Sequence, residues 1–271
     1  MPRPAANTGE PSPFSLDQPA VYAQWRARKL ADAAPPPAEP VADVGDLGEH
    51  ERERLLRQCA RRNFALFRTN TPTDIEAALQ AFGRRMGLLD LDQNLCAEAS
   101  GLSAITVKAT ATDHVYIPYT SRPLGWHTDG YYNDSRHQVR AWLLYCVQPA
   151  AEGGDNELLD HEIAYIRVRD ENPAWIRALM ADDAFTIPGN VESGVEIRPD
   201  HAGPVFSVSP VDGHLHMRYS ARQRNVIWKD DTATRDAAAF LLDLFKHGDA
   251  HIYRHTLRAG EGVISNNVLH R

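Results

Sequence analysis

The chain has 271 residues, 43% of them apolar, and a net charge of −7, which suffices for one substantial core and favours one large domain over two. No basic cluster tracks along any face, which argues against a nucleic-acid partner, and no apolar run is long enough to cross a bilayer. Cys59, Cys96 and Cys146 are odd in number and widely spaced, and Met1-Pro2-Arg3-Pro4 lacks the apolar run of a signal peptide, so reduced thiols in a cytoplasmic protein are expected.

Taken in chain order, residues 1–45 read as a Pro/Ala-rich N-terminal extension, loose over 1–17 unless docked. It would contain a short helix over residues 21–31 and a stiff Pro35-Pro36-Pro37 spacer. Residues 46–271 form the main domain. It opens on an amphipathic helix over 49–62, with Leu55, Leu56 and Cys59 inward, and a strand over 64–68. Thr73 and Glu76 have the spacing of a capping box, which predicts a helix to about Met86.

From Ala104 the texture changes to short strands, expected over 104–109, 139–147, 204–208 and 214–219. Helices are expected to interrupt them over 161–169, over 173–180 with Asn172 as cap, and over 234–246. The pattern predicts a mainly β fold with inserted helices, a double-stranded β-helix or jelly roll. A doubly wound parallel sheet is disfavoured, because no Gly-rich loop joins a strand to a helix.

The chemistry concentrates in Gly125-Trp126-His127-Thr128-Asp129-Gly130 and the closing Asn266-Asn267-Val268-Leu269-His270. On an extended strand His127 and Asp129 leave the same face, so one imidazole and one carboxylate can grip one cation. His270 is the candidate third ligand, giving two histidines and a carboxylate with the opposite side open. Such a set suits Fe(II) better than Zn(II), which usually closes a tetrahedron. Tyr131 and Asn133 adjoin the ligands and are candidate substrate contacts. Among Arg122, Arg218, Arg222 and Arg224, Arg218 is the first choice to meet an anionic substrate, because a guanidinium fork matches a carboxylate, sulfonate or phosphate. His214 and His216 share a strand face but lack an acidic partner nearby, so packing or surface roles are expected. His247, His251 and His255 fall four apart, yet Gly248 breaks the helix that would align them.

Together the Trp-His-Thr-Asp-Gly stretch, Gly153-Gly154-Asp155 and the segment from Leu257 to His270 resemble the iron(II)/2-oxoglutarate-dependent dioxygenases of the taurine dioxygenase (TauD/TfdA) family. Echoes of the gamma-butyrobetaine and glutarate hydroxylase branches are also present. The resemblance runs from about Pro118 to the end. It implies Fe(II) on His127, Asp129 and His270, with 2-oxoglutarate and O2 as co-substrates. It implies oxidative decarboxylation to succinate and CO2, coupled to hydroxylation of an unactivated C–H bond of a small, anionic or amino-acid-like molecule. It also places Asn156 where the family has a threonine that donates to 2-oxoglutarate. Halogenation is disfavoured, since Asp129 occupies the position that must be small to admit chloride.

One departure stands out. The family anchors the far carboxylate of 2-oxoglutarate on an arginine a dozen or so residues beyond the distal histidine, whereas this sequence ends at Arg271. Arg271 should point away from the metal side, so a further C-terminal segment is expected. The departure keeps alive a non-catalytic metal-binding or sensory jelly-roll protein, and a Zn-dependent hydrolase at the same ligands is a third reading. The sequence leaves homo-oligomer formation open.

Overall fold

Proline in the first turn starts α1 (Pro19–Leu30), where its missing N–H forfeits no helical bond. A short extended piece, β1 (Glu39–Pro40), leads to α2 (Glu49–Arg62), whose Glu51 carboxylate accepts the Gly48 N–H at 3.0 Å. Asn63 ends that helix in a left-handed conformation, and β2 (Phe64–Arg68) follows at once. The next helix, α3 (Ile75–Met86), is capped by Asp74, which accepts the Ala77 N–H at 3.0 Å. The cap expected at Thr73 therefore lies one residue later. The structure, a computed structural model, describes residues 11–32, 34–92, 101–107, 117–192, 195–222 and 226–271.

After β3 (Trp142–Tyr145) and β4 (Asp155–Leu159) come α4 (His161–Glu171) and α5 (Pro173–Leu179), the latter capped by Asn172 as the sequence predicts. A run of short strands follows: β5 (Phe185–Ile187), β6 (Asn190–Glu192), β7 (Val195–Arg198), β8 (His201–Gly203), β9 (Phe206–Val208), β10 (Leu215–Met217) and β11 (Ile227–Trp228). The last helix, α6 (Thr232–His247), is capped by Asp231 and leads to β12 (Tyr253–Thr256), β13 (Glu261–Ser265) and β14 (Leu269–His270).

Two sheets position the site. The first runs β1-β2-β13-β3, with β13 antiparallel to both β2 and β3; the second runs β12-β4-β14, antiparallel throughout. Phe64, Leu66 and Val263 of the first share one buried cluster with Leu158 of the second, and Trp142, Leu144 and Tyr253 pack on it, so the sheets face each other. Alternation sends Ala65, Phe67 and Ile264 to the opposite face, where they meet Leu55, Cys59, Phe82 and Met86 of α2 and α3. Leu159 and Leu269, on the outer face of the second sheet, join the largest cluster with α4, α5 and α6. Five-residue β2 and β13 with these partners bury enough apolar surface to fix register, since a one-residue slip would invert every side chain.

Several expectations are corrected. Leu56 is exposed rather than inward. Residues 104–107 are irregular, and 108–109 lie outside the described residues, as do Cys96 and Arg224. The strand expected from Val139 begins only at Trp142, because the Val139 carbonyl accepts from the Asn267 side chain instead of a ladder partner. The strand expected to Tyr219 stops at Met217, and the Tyr219 N–H turns to the Thr128 hydroxyl. Residues 11–17 are docked: Phe14 is buried, its carbonyl accepts from Tyr165, and Arg169 donates to the carbonyls of Pro13 and Ser15.

Candidate metal centre

His127 and His270 exchange both backbone hydrogen bonds, at 3.0 and 2.9 Å, and this antiparallel bridge brings their ring centroids to 4.2 Å. Asp129 is not on the same extended strand, contrary to expectation. It sits in a turn that Gly130 continues with φ +63. The turn still aims its carboxylate at the rings: Asp129 Oδ1 is 3.7 Å from His127 Nε2 and 3.6 Å from His270 Nε2. These separations are long for hydrogen bonds and short enough for three ligand atoms to share one cation. One ligand atom from each residue lies within 4.8 Å of the others.

Each ring is held in the tautomer a metal needs. His127 Nδ1 faces the Gly125 carbonyl at 2.9 Å, and His270 Nδ1 faces the Val268 carbonyl at 3.0 Å. A ring whose Nδ1 donates to a carbonyl presents the Nε2 lone pair. Burial, reinforced by the neighbouring His270, pushes the His127 imidazole down to about 4 despite the Asp129 charge, so it is neutral at physiological pH. Burial would raise the Asp129 carboxyl, but the facing His270 and His127 rings outweigh it and hold the group below the ordinary carboxylate value. Two neutral nitrogens and one anion, facing one another, fit a divalent cation.

Behind the ligands lies a polar support. Asn267, with left-handed φ +56, accepts the Asp129 N–H and donates to the Asp129 and Val139 carbonyls. Its neighbour Asn266 bonds Asn63, Asn63 donates to Asp160, and Asp160 is paired with buried Lys29 at 2.5 Å. The sequence pattern contained Asn267 within the closing motif but assigned it no role. An amide at a left-handed position beside a ligand strand was the available signal.

On the facing-sheet side, His270 pairs with Leu158, and Asn156 lies two residues before it on the same face. Asn156 turns its amide N–H to the carbonyls of Gly154 at 3.1 Å and His255 at 3.5 Å. The Trp142 ring centroid is 5.0 Å from that of His270, and its indole N–H is buried without a partner among the described residues. Arg271 takes the opposite face, donating to Glu157 at 2.6 Å and lying over Trp126.

On the other side a shallow, open recess beside Asp129 is lined by Tyr131, Asn133, Gln138, Gly203, His216 and Arg218, with a cavity volume of only about 20 Å³. Arg218 is buried and committed: Nε, Nη1 and Nη2 donate to the carbonyls of Tyr131, Phe185 and His201 at 2.7, 2.9 and 2.8 Å. Asn133 Nδ2 donates to the His137 carbonyl at 2.9 Å. His216, expected to pack or face solvent, is a wall of this recess. A second recess between β11 and α6, lined by Val226, Trp228, Ala238 and Leu242, is larger, but none of the three candidate ligands lines it.

The remaining singled-out residues disperse. Arg222 acts on His127 through space, whereas Arg122 is exposed on a turn. His247 pairs with Asp243, His251 with Asp249, and His255 with Glu261, so these three form no common site.

Comparison with known proteins bears on the family and the fold. The profile of the family described as taurine catabolism dioxygenase TauD, TfdA family matches residues 27–271. A uridine-5'-phosphate dioxygenase from Streptomyces sp is 32% identical over 174 residues, covering 61% of this chain and 59% of that protein. One from Amycolatopsis sp is 34% identical over 99 residues, covering 35% and 33%. The chain thus matches less than two thirds of the length of either curated relative. Among solved structures, an asparagine oxygenase in complex with Fe(II), 2S,3S-3-hydroxyasparagine and succinate superposes with TM-score 0.56 at 15% identity, covering 98% and 80% of the two chains. The non-heme iron oxygenase OrfP with Fe and alpha-ketoglutaric acid gives 0.59 at 16%, covering 85% and 79%. A taurine dioxygenase from Burkholderia xenovorans gives 0.54 at 18%, covering 86% and 81%. At such identities the likeness concerns the fold.

Proposed function

The chain belongs to the TauD/TfdA family, and on that premise we propose that it is an Fe(II)- and 2-oxoglutarate-dependent oxygenase that hydroxylates a C–H bond of a small molecule. The observation that carries this reading is the convergence of His127, Asp129 and His270, with both Nδ1 atoms tied to backbone carbonyls and both Nε2 atoms turned to one carboxylate. Iron held there would, with 2-oxoglutarate and O2, supply oxidative decarboxylation to succinate and CO2 coupled to C–H hydroxylation.

In this reading the two sides of the centre divide the work. The facing-sheet side, with Trp142, Asn156 and Leu158, receives 2-oxoglutarate; the unpartnered Trp142 N–H is a donor awaiting an acceptor. The recess beside Asp129 receives the primary substrate, with Tyr131 and Asn133 at its wall. Arg218 acts by fixing Tyr131. The facing sheets are the two halves of a double-stranded β-helix. The names of the curated relatives suggest a nucleoside monophosphate as substrate class. Cys59 and Cys146 are free thiols, which suits a reducing compartment such as the cytoplasm.

Anaerobic addition of Fe(II) and 2-oxoglutarate should produce a weak visible charge-transfer band, and air with uridine 5'-phosphate should then yield succinate. His127→Ala should abolish both. Absence of band and succinate in the parent protein sinks the reading, and turnover by His127→Ala removes the triad from it.

A further inference from the structure

We propose that the recess beside Asp129 holds the phosphate group of the primary substrate, gripped by the ring of His216 in its wall and by Arg140, which reaches it through its contact with the lining residue Gln138. The inference rests on the oxygenase reading for its substrate class and assigns one end of that substrate to named residues.

His216 is the first observation. It is only 9% exposed, and its ring makes no hydrogen bond among the described residues, yet it lines the recess that Asp129 also lines. Neither ring nitrogen of His216 is sealed from solvent, so an acceptor on a ligand seated in the recess can take a hydrogen bond from the ring. Strand alternation puts Arg218, two residues on, on the same side, and it too lines the recess. Three of the five N–H groups of Arg218 are taken by carbonyls, which leaves two.

The charge around His216 is the second observation. The groups that act on it through space are His161, Arg140 and Arg218, with no carboxylate among them. Arg140 is exposed and donates to Gln138 Oε1 at 3.2 Å; Gln138 lines the recess. Arg140 has no carboxylate within ion-pair distance among the described residues, although Asp212 feels its charge. The other acid in the recess wall, Asp134, is already occupied by the Arg136 and His137 N–H groups and the His137 ring. In a chain of net charge −7, a site with an unpaired guanidinium beside an unpartnered buried imidazole selects an anion. A phosphate monoester offers three oxygens to the guanidinium fork and to the ring N–H.

Equilibrium binding tests this on the full protein loaded anaerobically with Fe(II) and 2-oxoglutarate, with uridine 5'-phosphate and uridine as probes and inorganic phosphate as competitor. The parent should bind uridine 5'-phosphate about tenfold or more tighter than uridine. Arg140→Ala, at an exposed position, should erase most of that preference while leaving uridine binding unchanged. His216→Leu should also reduce it, and His216→Gln, which keeps a donor, should retain part. A parent that binds the two probes alike, or fails to bind uridine 5'-phosphate, overturns the assignment. So does a preference that survives both Arg140→Ala and His216→Leu. Succinate formation with a flat binding profile would sink the phosphate site alone; a phosphate preference without succinate would sink the oxygenase reading alone.

Discussion

Asn267 holds Asp129 from both sides, its Oδ1 accepting the Asp129 N–H at 2.8 Å and its Nδ2 donating to the Asp129 carbonyl at 2.9 Å. The same Nδ2 donates to the Val139 carbonyl at 2.6 Å. Asp129 lies in a turn rather than on a strand, so no ladder fixes its position, and this amide does the work of one. Asn267→Ala should lower Fe(II) affinity by about 10- to 100-fold, the usual effect of losing an outer support of a ligand. Asn267→Gly tolerates the φ of +56 and should recover some thermal stability but little metal affinity. Parent-like Fe(II) binding by Asn267→Ala would refute the role.

Arg218 provides a second test of support against contact. Its three carbonyl bonds join the Tyr131 turn, β5 and β8, and burial pushes the guanidinium down to about 10, with Arg198 adding to the effect. Removing it leaves three carbonyls without their donor. Arg218→Ala should cost about 3 kcal/mol or more in denaturant unfolding, and Arg218→Lys should recover little, because an ammonium cannot reproduce the fork. An unchanged unfolding midpoint with a raised KM for the primary substrate would make Arg218 a substrate contact instead.

The convergence of His127, Asp129 and His270 was legible because a metal site needs specific side chains, and these three stand in an unusual pattern. Helices with strong local signals, such as α2 and α5, were legible to within a residue or two. What escaped depends on contacts between distant segments. Asn267 truncates the strand at Val139, and Thr128 draws Tyr219 out of register, neither visible without the fold. His216 packs as expected, but the groups around it, Arg140 and His161, are far away in sequence and become its neighbours only in the fold.

The burial of His216 has a consequence for stability. Burial, with His161, Arg140 and Arg218 adding to it, pushes its imidazole down to about 3 from an ordinary 6.5. Between those values the unfolded chain takes up a proton that the folded chain refuses, so stability falls as pH falls through the window. The slope attributable to one such group approaches about 1.4 kcal/mol per pH unit. Metal-free protein followed by denaturant unfolding from about pH 7 to about pH 4 should show a shallower decline in His216→Gln than in the parent. Equal slopes would mean that His216 titrates normally in the fold.

Gly130 links the ligand turn to its support. Its φ is +63, and a Cβ there would sit 2.4 Å from Val139 Cγ2 and 3.0 Å from Val139 Cβ. The left-handed conformation alone costs a residue with a side chain about 1–2 kcal/mol. Val139 cannot withdraw freely, since its carbonyl is tied to Asn267, which in turn holds Asp129. Gly130→Ala should therefore weaken Fe(II) binding as well as stability, although residue 130 is no ligand. Adding Val139→Ala removes the closest contact, the one with Cγ2, but leaves the 3.0 Å approach to Cβ and the strained φ. The double variant should regain more metal affinity than thermal stability, because the displacement of Asp129 comes from the clash and the backbone strain persists. Gly130→Ala with parent-like Fe(II) affinity would show that the turn moves without carrying Asp129 with it.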